Sequence, residues 1–249
     1  MKRILLTILV IAAMLFSAVP TQNFSGKFTQ EARQIYLLNS DWQYLEDNCT
    51  RISDVEHSTV SWKSIDLPHT WNAIDATDMQ PGYRRDISWY KKEIKLPSVK
   101  NKEIYLAFEG VNISCDVFVN GKEAGGHVGG YVGFDVDITA FVQKGKNTIL
   151  VKVDNSVNRE VIPSQKSDFF IFGGITRDVY LKVLEPIHIA NVKISTPGVS
   201  EKSAETVLDV KINNQSSKKK LVSITAKIWN KENILMAETL KSIDANPGV

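Results

Sequence analysis

Residues Val117–Ile138 read VFVNGKEAGGHVGGYVGFDVDI, and the fold class turns on this stretch. Val117-Phe-Val119 is a run of β-branched and aromatic residues that meets Asn120-Gly121. That pair suits a two-residue hairpin turn, because both central residues must take positive φ. Farther along, Phe134-Asp-Val-Asp-Ile138 alternates with period two. Phe134, Val136 and Ile138 then share one face of a strand, and Asp135 and Asp137 the other. Strands joined by tight turns are expected here.

Outward on both sides the pattern repeats. Ile104-Tyr-Leu-Ala-Phe108 is strand-like and ends at Gly110, and Ile149-Leu-Val-Lys-Val153 and Val179-Tyr-Leu-Lys-Val-Leu184 follow. Beyond Gln34 no amphipathic run of helical length is found. Short strands at regular spacing, punctuated by Gly, Pro and Asn, predict an all-β chain. The first domain is expected to be a jelly-roll-type β-sandwich over residues 33–185. Pro186 opens a second unit, with strand candidates at Val192-Lys-Ile194, Val207–Ile212, Leu221–Trp229 and Ile234–Leu240. The spacing suits an immunoglobulin-like sandwich, which needs about seven strands and roughly 100 residues. Residues 186–249 hold fewer, so this unit is expected to be truncated, with an apolar face and a sheet edge left open. The full protein is expected to continue beyond Val249.

Bulk properties exclude some classes. Of 249 residues, 43% are hydrophobic and 23% charged, which fits a folded soluble protein. A net charge of +2, from 30 basic and 28 acidic residues, gives no reason to expect nucleic acid as a partner. The basic run Lys218–Lys220 follows Asn213-Asn-Gln-Ser-Ser217 and reads as a solvated hairpin tip, with no aromatic residues between the lysines. Residues 1–19 differ in kind: Lys2 and Arg3 precede an apolar run from Ile4 to Phe16. A positive start ahead of such a run is the pattern of a signal peptide. As a helix the run would span about 20 Å, short of the ~30 Å hydrocarbon core. No stable membrane anchor is expected, and the protein should be exported to the periplasm or outside the cell. Cys49 and Cys115 are too few to define a disulfide framework. Cys115, within the strand-like run Ile113–Val119, is expected to pack as a small hydrophobe.

Several signatures occur in fixed order. They are Leu67-Pro-His-Thr-Trp-Asn72, Pro81-Gly-Tyr-Arg-Arg85 with Trp89-Tyr90, Phe108-Glu-Gly-Val111, Val117–Gly121, Gly129-Gly-Tyr131, Phe134–Thr139, Asn147–Asn155 and Gly173-Gly-Ile-Thr-Arg-Asp-Val179. Each alone is weak. In this order and spacing they closely resemble the sugar-binding domain of family 2 glycoside hydrolases, the β-galactosidase and β-glucuronidase group, over about Tyr36 to Leu184. Pro186 onward resembles the start of that family's immunoglobulin-like domain. The resemblance implies a third domain, a (β/α)₈ barrel carrying the acid/base and nucleophile glutamates, as the missing partner of this segment. The present chain would then contain no catalytic residue and show no hydrolysis alone.

The residues themselves suggest roles. Gly173 and Gly174 permit a tight chain reversal. Arg177 and Asp178 alternate across a strand and are expected to form charge pairs. Trp71, Trp89 and Tyr90 are expected in core or interdomain packing rather than as sugar platforms. His69 reads as a structural histidine held by hydrogen bonds. His57, His69, His127 and His188 show no metal-ligand spacing with an acid or cysteine, so no metal or cofactor is expected.

Two residues are candidates for binding sugar. Asp168 lies six residues before Gly174, among Phe169, Phe170 and Phe172. One reading is a loop aspartate capping nearby amides. The resemblance, carried across the Gly-Ile-x-Arg-Asp-Val stretch, implies instead that it reaches into the sugar pocket and accepts hydrogen bonds from hydroxyls. Arg85, counted back from Tyr90, stands where the β-galactosidase pattern places a sugar-contacting asparagine. A donor-only guanidinium there changes the contact in kind and would suit a carboxylate-bearing sugar as well as a neutral hexose. The competing reading is a surface loop arginine.

Three functions compete: the non-catalytic part of a β-glycosidase, a free-standing carbohydrate-binding module, and an adhesion protein built of β-sandwiches. The ordered motifs and the unfinished second unit favour the first, with a β-galactosidase-like parent. A β-glucuronidase or β-mannosidase parent would carry much the same motifs.

Overall fold

The computed structural model describes residues 3–9, 33–56, 58–75, 77–79, 82–162 and 169–248. They are almost entirely strand and turn, with one short helix, Ile52–Glu56. Two compact units divide between Val183 and Leu184.

The first unit is a sandwich of a four-stranded and a six-stranded sheet. The smaller runs Phe134–Asp137, Glu103–Phe108, Val179–Leu184, Arg33–Leu37. The larger runs Lys63–Ile65, Trp42–Leu45, Ile87–Leu96, Gly145–Asp154, Ser114–Val119, Lys122–Val128. Alternation decides which side faces in. Ile149, Val151 and Val153 are buried between the sheets, with Val117, Val119, Leu106, Val136 and Leu181 in the same cluster. Each such side chain contributes about 1.5–3 kcal/mol when fully buried. A one-residue slip would turn all three of the first set outward, so burial enforces the register. Cys115 lies in this core as a free thiol, and burial pushes its ionisation up to about 12. Cys49 is also free.

The hairpin predicted at Asn120-Gly121 joins Ser114–Val119 to Lys122–Val128, with φ of 51° and 80° at the two turn residues. The Asn120 side chain also donates to Phe141 O and Asn147 Oδ1 and accepts from Thr148 N–H. The tip is thereby tied to the neighbouring strand.

The outer face of the six-stranded sheet has its own cover. Leu45, Val55, Ile87 and Trp89 form a second cluster, with Ile52, Trp62, Phe118 and Leu150 packed on it. Trp89 and Tyr90 are fully buried and Trp71 packs on the core. These aromatic residues are structural, as their sequence context suggested.

The second unit comprises residues from Leu184 onward and the strand Arg3–Leu9. Its three-stranded sheet is ordered Arg3–Leu9, Ala204–Asn214, Ile187–Val199, and Lys220–Trp229 pairs with Leu235–Ala245 in a separate sheet. Val210, Ile212, Ile224 and Ala245 form its small core. Two sequence expectations change here. The turn before Lys218–Lys220 is exposed, but it links strands of different sheets and is not a hairpin tip. The described part of the apolar leader is a strand rather than a helix: Arg3–Leu9 pairs antiparallel with Glu205–Lys211. The remainder of the leader lies outside the described residues. Val199, Leu221, Ile234 and Leu240 are each more than half exposed. No described helix is long and apolar enough to cross a membrane.

Candidate functional site

Two loop regions of the first unit, residues 66–86 and 155–175, converge. The chain from His69 to Trp71 runs beside Gly173–Ile175, with His69 N–H donating to Ile175 O at 2.8 Å and Trp71 N–H to Gly173 O at 3.3 Å. Thr70 Oγ1 donates to the same Gly173 carbonyl at 2.8 Å. This approach explains both glycines. A Cβ on Gly173 would lie 2.0 Å from Trp71 Cζ2, and one on Gly174, where φ is +136°, would lie 2.3 Å from His69 O. The pair serves close contact between two segments rather than a chain reversal.

Two asparagines with no exposed surface hold the loops together. Asn72 Oδ1 accepts from Gly173 N–H at 2.6 Å, and its Nδ2 donates to Asp75 Oδ2 and Arg84 O. Asn155 Nδ2 donates to Ile171 O at 2.9 Å and, more weakly, to Arg84 O and Asn72 Oδ1, while its Oδ1 accepts from Asp86 N–H at 2.8 Å. A buried amide with both ends satisfied in this way specifies one arrangement of its neighbours. Neither asparagine stood out in the sequence, although each ends one of the quoted motifs.

Arg84 and Arg85 point into the structure. Arg84 Nη1 donates to Ser88 Oγ at 2.8 Å and Tyr44 Oη at 3.1 Å, its Nη2 donates to Ile87 O at 2.6 Å, and the guanidinium lies 5.2 Å from the centre of the Trp71 ring. Arg85 is half-buried. Its Nε donates to Asn155 O, its Nη2 to Ser156 O at 3.3 Å, and its Nη1 to Tyr83 Oη at 2.9 Å. Tyr83 Oη also accepts from Ile171 N–H at 3.1 Å, and its ring lies 4.5 Å from that of Phe170. Asp168 lies outside the described residues. On the same loops Ile74, Met79, Val157, Ile162 and Phe169 are each more than half exposed.

His69 is held as a structural residue, its Nδ1 sharing a 2.7 Å hydrogen bond with Tyr90 Oη. Burial, with a smaller contribution from the positive charge of Lys63, lowers its pKa and favours the neutral ring. Asp178 differs from expectation. It accepts hydrogen bonds from Asn39 Nδ2 at 2.8 Å and Tyr180 Oη at 3.1 Å, neutral donors rather than a charge partner. Arg177 is exposed, with its aliphatic stem against Gly110.

Two carboxylates of these loops serve local structure. Asp75 accepts from Asn72 Nδ2 and Arg84 N–H, and Asp86 from Ile87 N–H. Among the described residues no group of His, Cys, Asp and Glu could hold a metal. The arrangement ties the chain at Asn155 and Ser156 to the chain at Ile171 through Arg85, Tyr83 and the Asn155 amide.

The family model described as glycosyl hydrolases family 2, sugar binding domain, matches residues 38–185. A protein of Formosa agariphila named "Putative beta-glucuronidase" is 50% identical over 210 residues, covering 84% of this chain and 25% of its own length. A β-galactosidase of Thermoanaerobacter pseudethanolicus is 30% identical over 217 residues, covering 85% and 29% respectively. The crystal structure of Bacteroides uniformis β-glucuronidase 2, covalently bound to cyclophellitol-6-carboxylate aziridine, superposes with a TM-score of 0.80 at 33% identity, over 87% of this chain and 26% of that one. The chain thus spans between a quarter and a third of the length of these relatives.

Proposed function

The chain belongs to glycoside hydrolase family 2, and on that premise we propose that it is the N-terminal, non-catalytic portion of an exported β-glycosidase. The parent hydrolyses a β-glycosidic bond with two carboxylates of a barrel domain, by the retaining route in which they stand about 5 Å apart. A β-glucuronide is the favoured substrate, because the relative with 50% identity carries that name; a β-galactoside is the second reading, on the Thermoanaerobacter relative. Within the parent this segment braces the barrel and supplies one wall of the sugar pocket through Asp168.

The observation that carries the reading is the support described above. Asn72, Asn155, Tyr83 and Arg85 bind both feet of the segment in which Asp168 falls. A ligand-contacting group needs such backing to hold its geometry. In the parent, Asp168→Ala is expected to raise KM for an aryl β-glucuronide or β-galactoside about tenfold or more, the loss of one or more charge-assisted hydrogen bonds to the sugar. The melting temperature should stay within about 2 °C, since each kcal/mol shifts a large domain by only about 2–4 °C. Unchanged KM and kcat on both substrates would reject the assignment.

Export rests on Lys2-Arg3 and the apolar run Ile4–Phe16. N-terminal sequencing of the mature parent should begin beyond Phe16, and recovery of Met1-Lys2 would disprove cleavage.

A further inference from the structure

We infer that a groove beside residues 92–96 takes up an extended, acidic segment of another polypeptide as an added strand of the six-stranded sheet. Ile87–Leu96 is an interior strand of that sheet, yet its two sides are paired unequally. On one side Gly145–Asp154 follows it throughout, from Gly145 opposite Leu96 to Asp154 opposite Ile87. On the other, the pairing with Trp42–Leu45 stops at Gln43 opposite Lys91. Among the described residues, no backbone hydrogen bond meets that second side between residues 92 and 96. The cause lies in the chain before Trp42. Asp41 has a φ of 56°, and Leu38 N–H already donates to Val179 O in the four-stranded sheet, so residues 38–41 cross between the sheets and leave the strand edge open.

A groove of about 800 Å³ runs there, with residues 92–97 as one wall and residues 37–41 as the other. Successive residues of a strand point to opposite faces, so a groove lined by all of 92–97 follows the edge and not one face. A row of backbone donors and acceptors is matched by another backbone about 4.8 Å away, the basis of strand addition. The charges choose the partner. Lys92, Lys95 and Lys144 line the groove against Asp41 and Glu93, and Glu93 is engaged by Lys146 at 2.7 Å. Lys92 shares the parity of buried Ile94 and Leu96, and its Nζ donates to Ser40 O at 2.5 Å, pinning the opposite wall. Lys95 and Lys144 are exposed and remain for the ligand. An added strand alternating apolar and acidic residues would set one face toward Ile94 and Leu96 and the other toward the lysines. The competing reading is an edge blunted by lysine and Pro97 against any pairing.

The test uses the 249-residue chain and a fluorescein-labelled peptide of alternating Val and Glu, followed by anisotropy. The chain should bind this peptide about tenfold or more tightly than its Val/Lys counterpart. The double variant Lys95→Glu, Lys144→Glu should reverse that preference with its urea midpoint unchanged, since both side chains are exposed. A strand directs alternate N–H groups at its neighbour, so methylating the amides of all Val or of all Glu should abolish binding in one series and spare it in the other. Binding lost in both series, or in neither, would show that no ladder forms and would overturn the inference. No binding of either peptide, or equal binding of both, would mean a blunted edge and would overturn it as well. Displacement of the Val/Glu peptide by trigalacturonate at equal concentration would make the groove a glycan site, and the polypeptide assignment would be wrong.

Discussion

Gly173→Ala is expected to destabilise the first unit by about 3 kcal/mol or more, the upper range for overpacking a closed site. The added methyl would stand 2.0 Å from Trp71 Cζ2, 2.4 Å from Trp71 Cε2 and 2.7 Å from Asn155 Cγ. Relief would require the indole to move, but the ring is stacked on Tyr44 at 6.4 Å and lies under the Arg84 guanidinium. Moving Asn155 instead would break its bonds to Ile171 and Asp86. Gly174→Ala should be at least as costly, because its obstacle is the His69 carbonyl at 2.3 Å and its φ of +136° is foreign to a side-chain-bearing residue. Gly121→Ala is the control. Nothing lies within 4 Å of its Cβ position and only φ, at +80°, is unfavourable, so about 1 kcal/mol is expected. Urea unfolding followed by tryptophan fluorescence would rank the three. A Gly173→Ala midpoint no lower than that of Gly121→Ala would show that the loops can part without loss, and the close-contact account would fail.

Asn155→Ala should cost about 2–4 kcal/mol, since it strands the Asp86 N–H and Ile171 C=O where solvent cannot replace the amide. The informative partner is Asn155→Asp, which keeps the shape and removes the donor. Its carboxylate would face three acceptors, Ile171 O, Arg84 O and Asn72 Oδ1. Asn155→Asp should therefore be no more stable than Asn155→Ala at neutral pH. A clearly more stable aspartate variant would mean that the amide group is not the donor in this network. Both variants should also speed trypsin cleavage between Ser156 and Phe170, because Asn155 shares that support with Arg85.

Some strands were legible because one face of each meets the core and the other meets solvent. Phe134–Asp137 shows this most plainly, with Val136 buried between exposed Asp135 and Asp137. Ile87–Leu96 was not legible for the opposite reason. Ile87, Ser88, Trp89 and Tyr90 are all buried, since the helix Ile52–Glu56 and its cluster cover the outer face of the sheet. Burial on both sides erases the period of two. Trp42–Leu45 and Lys63–Ile65 are too short to display a period at all. The apolar run Ile4–Phe16 stands out by composition, but the pairing of Arg3–Leu9 with Glu205–Lys211 depends on a sheet edge about 200 residues away, a separation no local pattern records.

The candidate site divides along the same line. Gly173 and Gly174 could be seen to need freedom from a side chain, and Asp168 and Arg85 were candidates for sugar contact only through the family resemblance. What the two glycines accommodate, and where the Arg85 donors point, came only with the folded chain. Asn72 and Asn155 are 83 positions apart and look like any loop asparagines until the backbone brings them to 3.4 Å.

Sequence alone therefore determined the strand-forming stretches with one wet face, the hairpin at Asn120-Gly121 and the family resemblance over about Tyr36 to Leu184. These depend on side-chain chemistry repeated or paired within a few residues. Only the tertiary structure decided which buried polar groups satisfy one another, because a hydrogen bond between distant loops exists only after the sheets beneath them have set the loops in place.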